Sequence, residues 1–338
     1  MRNANSISRW LGIALLAGAA CTGCGVVVID PELGSLGTGD PPGSPTGGGV
    51  GGSTDPGQDP GTGGPGSAGG TGGAVGTGSA GGTGGSGAAQ CTGPLQIADP
   101  ALEAALREAA GKPIGPLFPA DFASVDYLAA GHRGIESLSG IECITSLTGL
   151  SIVGNLVTDL APLSSLTRLR FLDAASNQIT DVAPLSSLVQ LEQLALNDNA
   201  ISDVTALGSL THLFFLTLSL NPVADVSPLG ALVELDQLYL GGRPIQTLAP
   251  LSGLLKLDVL VVIDAGITDI SALSAMTSLY HVAIKDNRFS DLSPLVANPG
   301  IGSGDSVVVL GNPIDCAAQA SNIAALRARG VHVATDCS

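Results

Sequence analysis

Between residues 128 and 310 the hydrophobic positions recur with a strict period. Asn155, Asn177, Asn199, Asn221 and Asn287 share one 22-residue register, whose two missing steps fall at Arg243 and Ala265. Five positions before each step stand Leu150, Leu172, Leu194, Leu216, Leu238, Leu260 and Val282; two residues later come Ile152, Ala174, Leu196, Leu218, Leu240, Val262 and Ile284. Such a pair, with alternate residues inward, is a short strand. After the asparagine the aliphatic columns continue at Val157, Ile179, Ile201, Val223, Ile245, Ile267 and Phe289, and again at Leu163, Leu185, Leu207, Leu229, Leu251, Leu273 and Leu295. Keeping those side chains inward needs a different backbone, so each repeat is one coil of a solenoid. A single coil cannot bury its own leucines. At about 2 kcal/mol gross per buried aliphatic, stacking on a neighbour offsets the loss of chain entropy. About eight coils at about 4.8 Å per strand predict a stack of roughly 35–40 Å.

Two polar columns accompany the apolar ones. The asparagine amide is expected to point inward and bond backbone groups that the turn leaves without strand partners. Arg243 and Ala265 cannot supply that amide, so their coils should be the least regular, with Pro244 and Gly266 helping the chain to turn. Four residues past the register run Asp159, Asp181, Asp203, Asp225, Asp269 and Asp291, often followed by proline as at Pro162, Pro184, Pro228 and Pro294. A stack of carboxylates invites a calcium reading, but calcium takes about six to eight oxygens converging on one point, which a one-dimensional ladder does not provide. Capping of short 3₁₀ turns by the carboxylates is the preferred reading.

Units such as N-Q-I-T-D-V-A-P-L (Asn177 to Leu185) and N-R-F-S-D-L-S-P-L (Asn287 to Leu295) closely resemble the 22-residue leucine-rich repeats of the internalin-like family, and the resemblance runs from roughly Leu95 to Leu310. It implies an α/β solenoid: a right-handed leucine-rich-repeat superhelix with a concave parallel sheet, 3₁₀ turns on the convex side and short helical caps at both ends. It also implies a protein partner on the concave face. An immunoglobulin-like domain and a cell-wall sorting signal, which accompany many internalins, are not recognisable after the repeats, so host-cell invasion is not implied.

Open solenoids expose apolar coils, and both ends carry candidate caps. Asp99-Pro100 opens A-L-E-A-A-L-R-E-A-A with a capping residue and a proline at the first helical position. A degenerate coil follows, with Leu128, Ile135, Leu138 and Ile141 in the expected columns and Arg133 at the asparagine step. At the far end Val307, Val309 and Asn312 repeat the motif after a three-residue insertion, and Ala318–Arg329 reads as a helix. Cys316 and Cys337 are placed to pin that helix as a disulfide, and Cys91 and Cys143 to close the N-terminal cap. A four-cysteine metal site is the rival reading, but the cysteines sit at opposite ends and lack C-x-x-C spacing.

The N-terminus adds an export signal: Arg2 and Arg9, a short apolar run from Trp10 to Ala20, and small residues before Cys21. The segment resembles a bacterial lipobox, with Gly18 where a leucine is usual, which makes Cys21 the candidate lipidation site and Cys24 the second; simple cleavage of the leader is the alternative. Glycine crowds the stretch from Gly34 to Gly87, which offers almost nothing to bury and is expected to be disordered. The organisation expected is therefore 1–20 export signal, 21–90 glycine-rich linker, 91–148 N-terminal cap and first coil, 149–310 repeats and 311–338 C-terminal cap. A cell-envelope or cell-surface lipoprotein follows, with a secreted protein as the alternative.

Net charge of −16 argues against nucleic acid and against anionic membranes, leaving a lipid anchor as the route to a membrane. His132, His212, His281 and His332 are scattered, and no H-E-x-x-H, G-x-S-x-G or P-loop pattern occurs. Neither catalysis nor a cofactor is expected. Function then falls to the residues alternating with the inward pair: Phe171, Asp173, Gln193, Asn197, Phe215, Thr217, Gln237, Tyr239, Val259, Val261, Ile263, His281 and Lys285. Exposed aromatics and branched aliphatics among them suit a binding hot spot on a monomeric, surface-displayed module. The alternatives are that Phe171 and Phe215 simply fold against neighbouring strands, and that the chain is an envelope structural or assembly component. In that second case it would self-associate through Val259, Val261 and Ile263, or bind polysaccharide.

Overall fold

The computed structural model describes residues 91–242 and 244–337. The expected leader, Cys21, Cys24, the glycine-rich tract and Arg243 lie outside them. Helix α1 (Pro100–Ala110) opens the described chain. Its cap, Asp99, accepts N–H bonds from Ala101 (2.8 Å) and Leu102 (3.0 Å) through one carboxylate oxygen, and from Glu136 (2.7 Å) and Ser137 (3.0 Å) through the other. One side chain thus caps the helix and ties it to the first coil. Burial pushes this carboxyl up, but the N–H bonds from Glu136, Leu102, Ser137 and Ala101 outweigh it and hold the group below its ordinary value.

Ten strands follow in one parallel sheet whose spatial order is the chain order: β1 (Tyr127–Ala129), β2 (Gly149–Ser151), β3 (Phe171–Asp173), β4 (Gln193–Ala195), β5 (Phe215–Thr217), β6 (Gln237–Gly241), β7 (Val259–Ile263), β8 (His281–Ala283), β9 (Ser306–Val308) and β10 (His332–Ala334). Leu128, Leu150, Leu172, Leu194, Leu216, Leu238, Leu260, Val282, Val307 and Val333 stand side by side through all ten. The leucine column is therefore the seam of the core. 3₁₀ turns such as Ala161–Ser165, Ala183–Ser187 and Ala249–Gly253 close the opposite side, and a short helix α2 (Ser293–Ala297) replaces the turn in the last regular coil. Helix α3 (Cys316–Ala328), capped by Asp315, precedes β10. This tenth strand exceeds the eight or so coils expected, because V-H-V-A is too short to register as a repeat although Val333 enters the same column.

The asparagines hold successive coils together. Asn199 is representative: its Oδ1 accepts the Ile179 N–H at 3.0 Å, while its Nδ2 donates to the carbonyls of Ala174, Leu196 and Asn197 at 3.0–3.3 Å. Asn155, Asn177, Asn221 and Asn287 make the same reach to the preceding coil. Where Ala265 stands instead, the Ala265 carbonyl itself accepts the Ile245 N–H at 2.8 Å. The main chain has taken over the missing side chain's acceptor. The strands of the two coils joined by that bond, β6 and β7, are five residues long rather than three, and Gly241 at φ 132° allows the close approach, since a Cβ there would meet the Ile263 oxygen at 2.0 Å.

On the turn side, Asp159, Asp181, Asp203, Asp225, Asp269 and Asp291 each accept the N–H two residues on at 2.7–2.8 Å, and Thr247 does so with its hydroxyl at 3.0 Å. The carboxylate ladder is a set of turn caps. A second regularity was not read from the sequence. The residue before each register step is left-handed in nine coils, from φ 49° at Asp264 to 86° at Gly242. Glycine, aspartate, serine or histidine fills it everywhere except at Leu220, which is 51 % exposed. The left-handed region costs a leucine about 1 kcal/mol. Cys91 is bonded to Cys143 (Cα–Cα 5.3 Å) and Cys316 to Cys337 (5.4 Å), one bridge in each cap.

Three outcomes follow for urea denaturation. Asn199→Ala strands buried backbone groups in two coils and should lower the unfolding free energy by about 3 kcal/mol, whereas Asp203→Ala removes an exposed cap and should cost about 1 kcal/mol. Leu220→Gly should raise stability by up to about 1 kcal/mol; a loss there would show that the leucine makes a compensating contact.

Candidate functional site

Strand alternation turns Phe171, Asp173, Gln193, Phe215, Thr217, Gln237, Tyr239, Val259, Val261, Ile263 and His281 away from the leucine seam. Asn197 and Lys285 follow just beyond β4 and β8 on the same alternation. Along the sheet they form two full rows, with Asn197, Ile263 and Lys285 in a third beyond them. The first runs Phe171, Gln193, Phe215, Gln237, Val259, His281; the second runs Asp173, Ala195, Thr217, Tyr239, Val261, Ala283.

Their exposure departs from the expectation of an open hot spot. Thr217, Gln237, Tyr239, Val259, Val261 and His281 are buried, and both Tyr239 and Val261 keep only 8 % of their surface. Phe171, Asp173, Gln193, Asn197, Phe215, Ile263 and Lys285 are half-exposed. Strands about 4.8 Å apart bring like-facing side chains into contact, so a bulky row shields its own flanks. The Phe215 and Tyr239 rings lie 5.7 Å apart, and the Tyr239 hydroxyl donates to Gln237 Oε1 at 3.3 Å. Phe171 pairs with Tyr127 at 6.1 Å, the tyrosine ring resting over Gly149. Both phenylalanines fold against aromatic neighbours.

The face has two chemically distinct ends. Toward the C-terminus, Tyr239, Val259, Val261, Ala283 and Val308 form an apolar cluster separate from the main core, with Phe215, Ile263 and Leu310 packed at its margin. Burial, with Tyr280 adding to it, pushes the Tyr239 hydroxyl up to about 12, and burial lowers the His281 imidazole, so both are neutral at pH 7.

Toward the N-terminus the face is polar. Ser151 is hydrogen-bonded to both Tyr127 and Asp173. Burial raises the Asp173 carboxyl; the Ala175 N–H, the nearby His132 and Ser151 oppose the rise without cancelling it. Tyr127, Ser151, Val308 and Leu310 were missed in the sequence. The 22-residue step from Phe171 through Gly149 to Tyr127 would have found the first. The three-residue insertion before Val307 hid the last two.

Among the described residues no group of three or more His, Cys, Asp or Glu side chains is arranged to hold a metal ion, and no helix is long and apolar enough to cross a membrane. What the face presents is a rigid, laterally braced surface. It carries its chemistry as apolar area at one end and polar groups at the other.

A stack of parallel strands and 3₁₀ turns on a 22-residue period, with an amide ladder between coils, defines a leucine-rich-repeat solenoid. The family model for leucine-rich repeats (2 copies) matches residues 167–209. Among solved structures, internalin C2 of Listeria monocytogenes is similar at 36 % identity and TM-score 0.58, over 60 % of this chain and 90 % of that one. An internalin (inlF) of the same species is similar at 27 % identity and TM-score 0.59, over 74 % and 81 %. The chain belongs to the internalin-like family of leucine-rich-repeat proteins. A leucine-rich-repeat protein of Leptospira interrogans shares the fold at 18 % identity and TM-score 0.58, over 63 % of this chain and 55 % of its own. A search of curated protein sequences gave no match.

Asp173 supplies a pH test. A carboxyl raised in the folded state leaves stability untouched below the unfolded value near 3.9, then lowers it as pH rises and the unfolded chain ionises first. Asp173→Asn should therefore raise the melting temperature at pH 7 and leave it nearly unchanged at about pH 3. Equal gains at both values would remove the burial explanation.

Proposed function

We propose that this chain is a surface-displayed protein-binding module that engages a partner on the solvent face of its sheet and performs no catalysis. One observation carries the reading: an apolar cluster on the side of the sheet away from the core, built around Tyr239, Val259 and Val261 and edged by Phe215, Ile263 and Leu310. Stacking of the coils is already secured by the leucine seam and the asparagines, so this second cluster is surplus to the solenoid's own needs. Aromatic and aliphatic anchors already fixed by lateral contacts lose little freedom on binding, which favours affinity. The family relationship supports the same use of the face. The export signal, a lipid at Cys21 and the glycine-rich linker expected over 21–90 would present a monomeric solenoid clear of the envelope.

The test is a capture experiment from envelope and extracellular fractions with the full chain, alongside a Phe171→Ala/Phe215→Ala/Ile263→Ala variant that keeps its circular dichroism. A partner held by the parent and lost by the variant is the expected outcome. Equal capture by both would move binding off this face.

A further inference from the structure

The apolar cluster has acidic margins. On one side, Asp236 and Asp258 immediately precede the first residues of β6 and β7, and their charges reach Tyr280, whose hydroxyl is raised by burial and then by these two carboxylates. On the other, Asp264 and Asp286 occupy left-handed positions just past β7 and β8 and are exposed. Between the margins lie half-exposed Phe215, Ile263 and Leu310. Among the described residues, Lys285 is half-exposed at this end of the face, and Lys256 nearby is paired with Glu234 at 2.6 Å. Leu220 adds to the picture. It holds a half-exposed aliphatic side chain beside Gly242, at a backbone position that eight other coils give to glycine or a polar residue. An apolar floor between two rows of carboxylates is complementary to one kind of occupant. Its centre must be apolar, and its charge on both sides must be positive.

We propose that the C-terminal half of the sheet face docks a basic polypeptide segment of a partner protein, with aliphatic or aromatic residues at its centre and lysine or arginine on either side. The inference rests on the binding role proposed above and narrows it to a partner chemistry. Uncharged and acidic segments lack the complement to the margins, and a second copy of this chain, at net charge −16, would bring like charge to like.

Selection of random peptides displayed on phage against the full chain tests it, with the selected peptides resynthesised and their dissociation constants measured. The peptides should carry Lys or Arg around an apolar centre and lose binding to a Phe215→Ala/Ile263→Ala variant. They should weaken roughly tenfold between about 50 mM and about 500 mM salt, and by a similar factor on Asp236→Asn/Asp258→Asn. Peptides that need the face but are uncharged, acidic or indifferent to salt would overturn the partner chemistry while leaving the binding role standing. If every selected peptide binds the Phe215→Ala/Ile263→Ala variant unchanged, the binding role of the face fails as well. Light scattering completes the test: a dimer abolished by that same variant would make a second copy the occupant and overturn the proposal.

Discussion

Every coil of this molecule must turn sharply after its strand, and the turn removes backbone groups from the reach of the sheet. Their satisfaction decides whether coils can stack at all. The asparagine amide answers with one group that serves two coils: Asn221 donates to Leu218 and Ser219 in its own coil and to Leu196 in the one before, while accepting from Ile201. Closure of each turn is thereby coupled to the presence of the next coil. Nearest-neighbour dependence of this kind makes the solenoid a one-dimensional cooperative array, and makes its two ends the points of weakness. Both ends are treated alike. An aspartate caps a helix and a disulfide fastens it, with Asp99 reaching across to Glu136 and Ser137 as well.

The legible part of the fold was the part set by period. Leucine columns, the asparagine step and the aspartate step are all consequences of one backbone path repeated every 22 residues, so position alone reports the environment. What position could not report was anything settled between neighbouring coils. Tyr239 and Val261 occupy the same formal column as Asp173, yet the first two are buried by large neighbours. Asp173 stays half-exposed beside Ala195 and Ser151. The coil at Ala265 shows the same limit from the opposite direction. Loss of an amide was readable as a fault, but its repair by a main-chain carbonyl depended on the backbone of the following coil. The left-handed residue before each step was equally present in the sequence as a column of Gly, Asp and Ser, and Leu220 disguised it.

The departure from regularity and the apolar cluster occupy the same coils. Strands β6 and β7 are extended to Gly241 and Ile263, so that the sheet is widest where Tyr239, Val259 and Val261 meet. A longer strand adds a further outward position, and Ile263 fills it at the cluster's margin. In a solenoid built only to stand, replacing two asparagines with Arg243 and Ala265 would be a loss without return. Here the departure at Ala265 coincides with the apolar cluster on the outer side of the sheet, and a main-chain carbonyl keeps the ladder's acceptor in place.

The two ends of the face then differ in what they ask of a partner. The apolar end is preformed: its side chains are already held by lateral packing, and binding there costs little ordering. The Asp173 end is held under tension, because a carboxylate raised by burial is more stable when a cation or a hydrogen-bond donor meets it. A partner that reached from one end to the other would gain on both counts, filling the apolar margin and meeting the half-buried Asp173 carboxyl. In the proposed complex, such relief would favour the bound state without adding to the stability of the free solenoid.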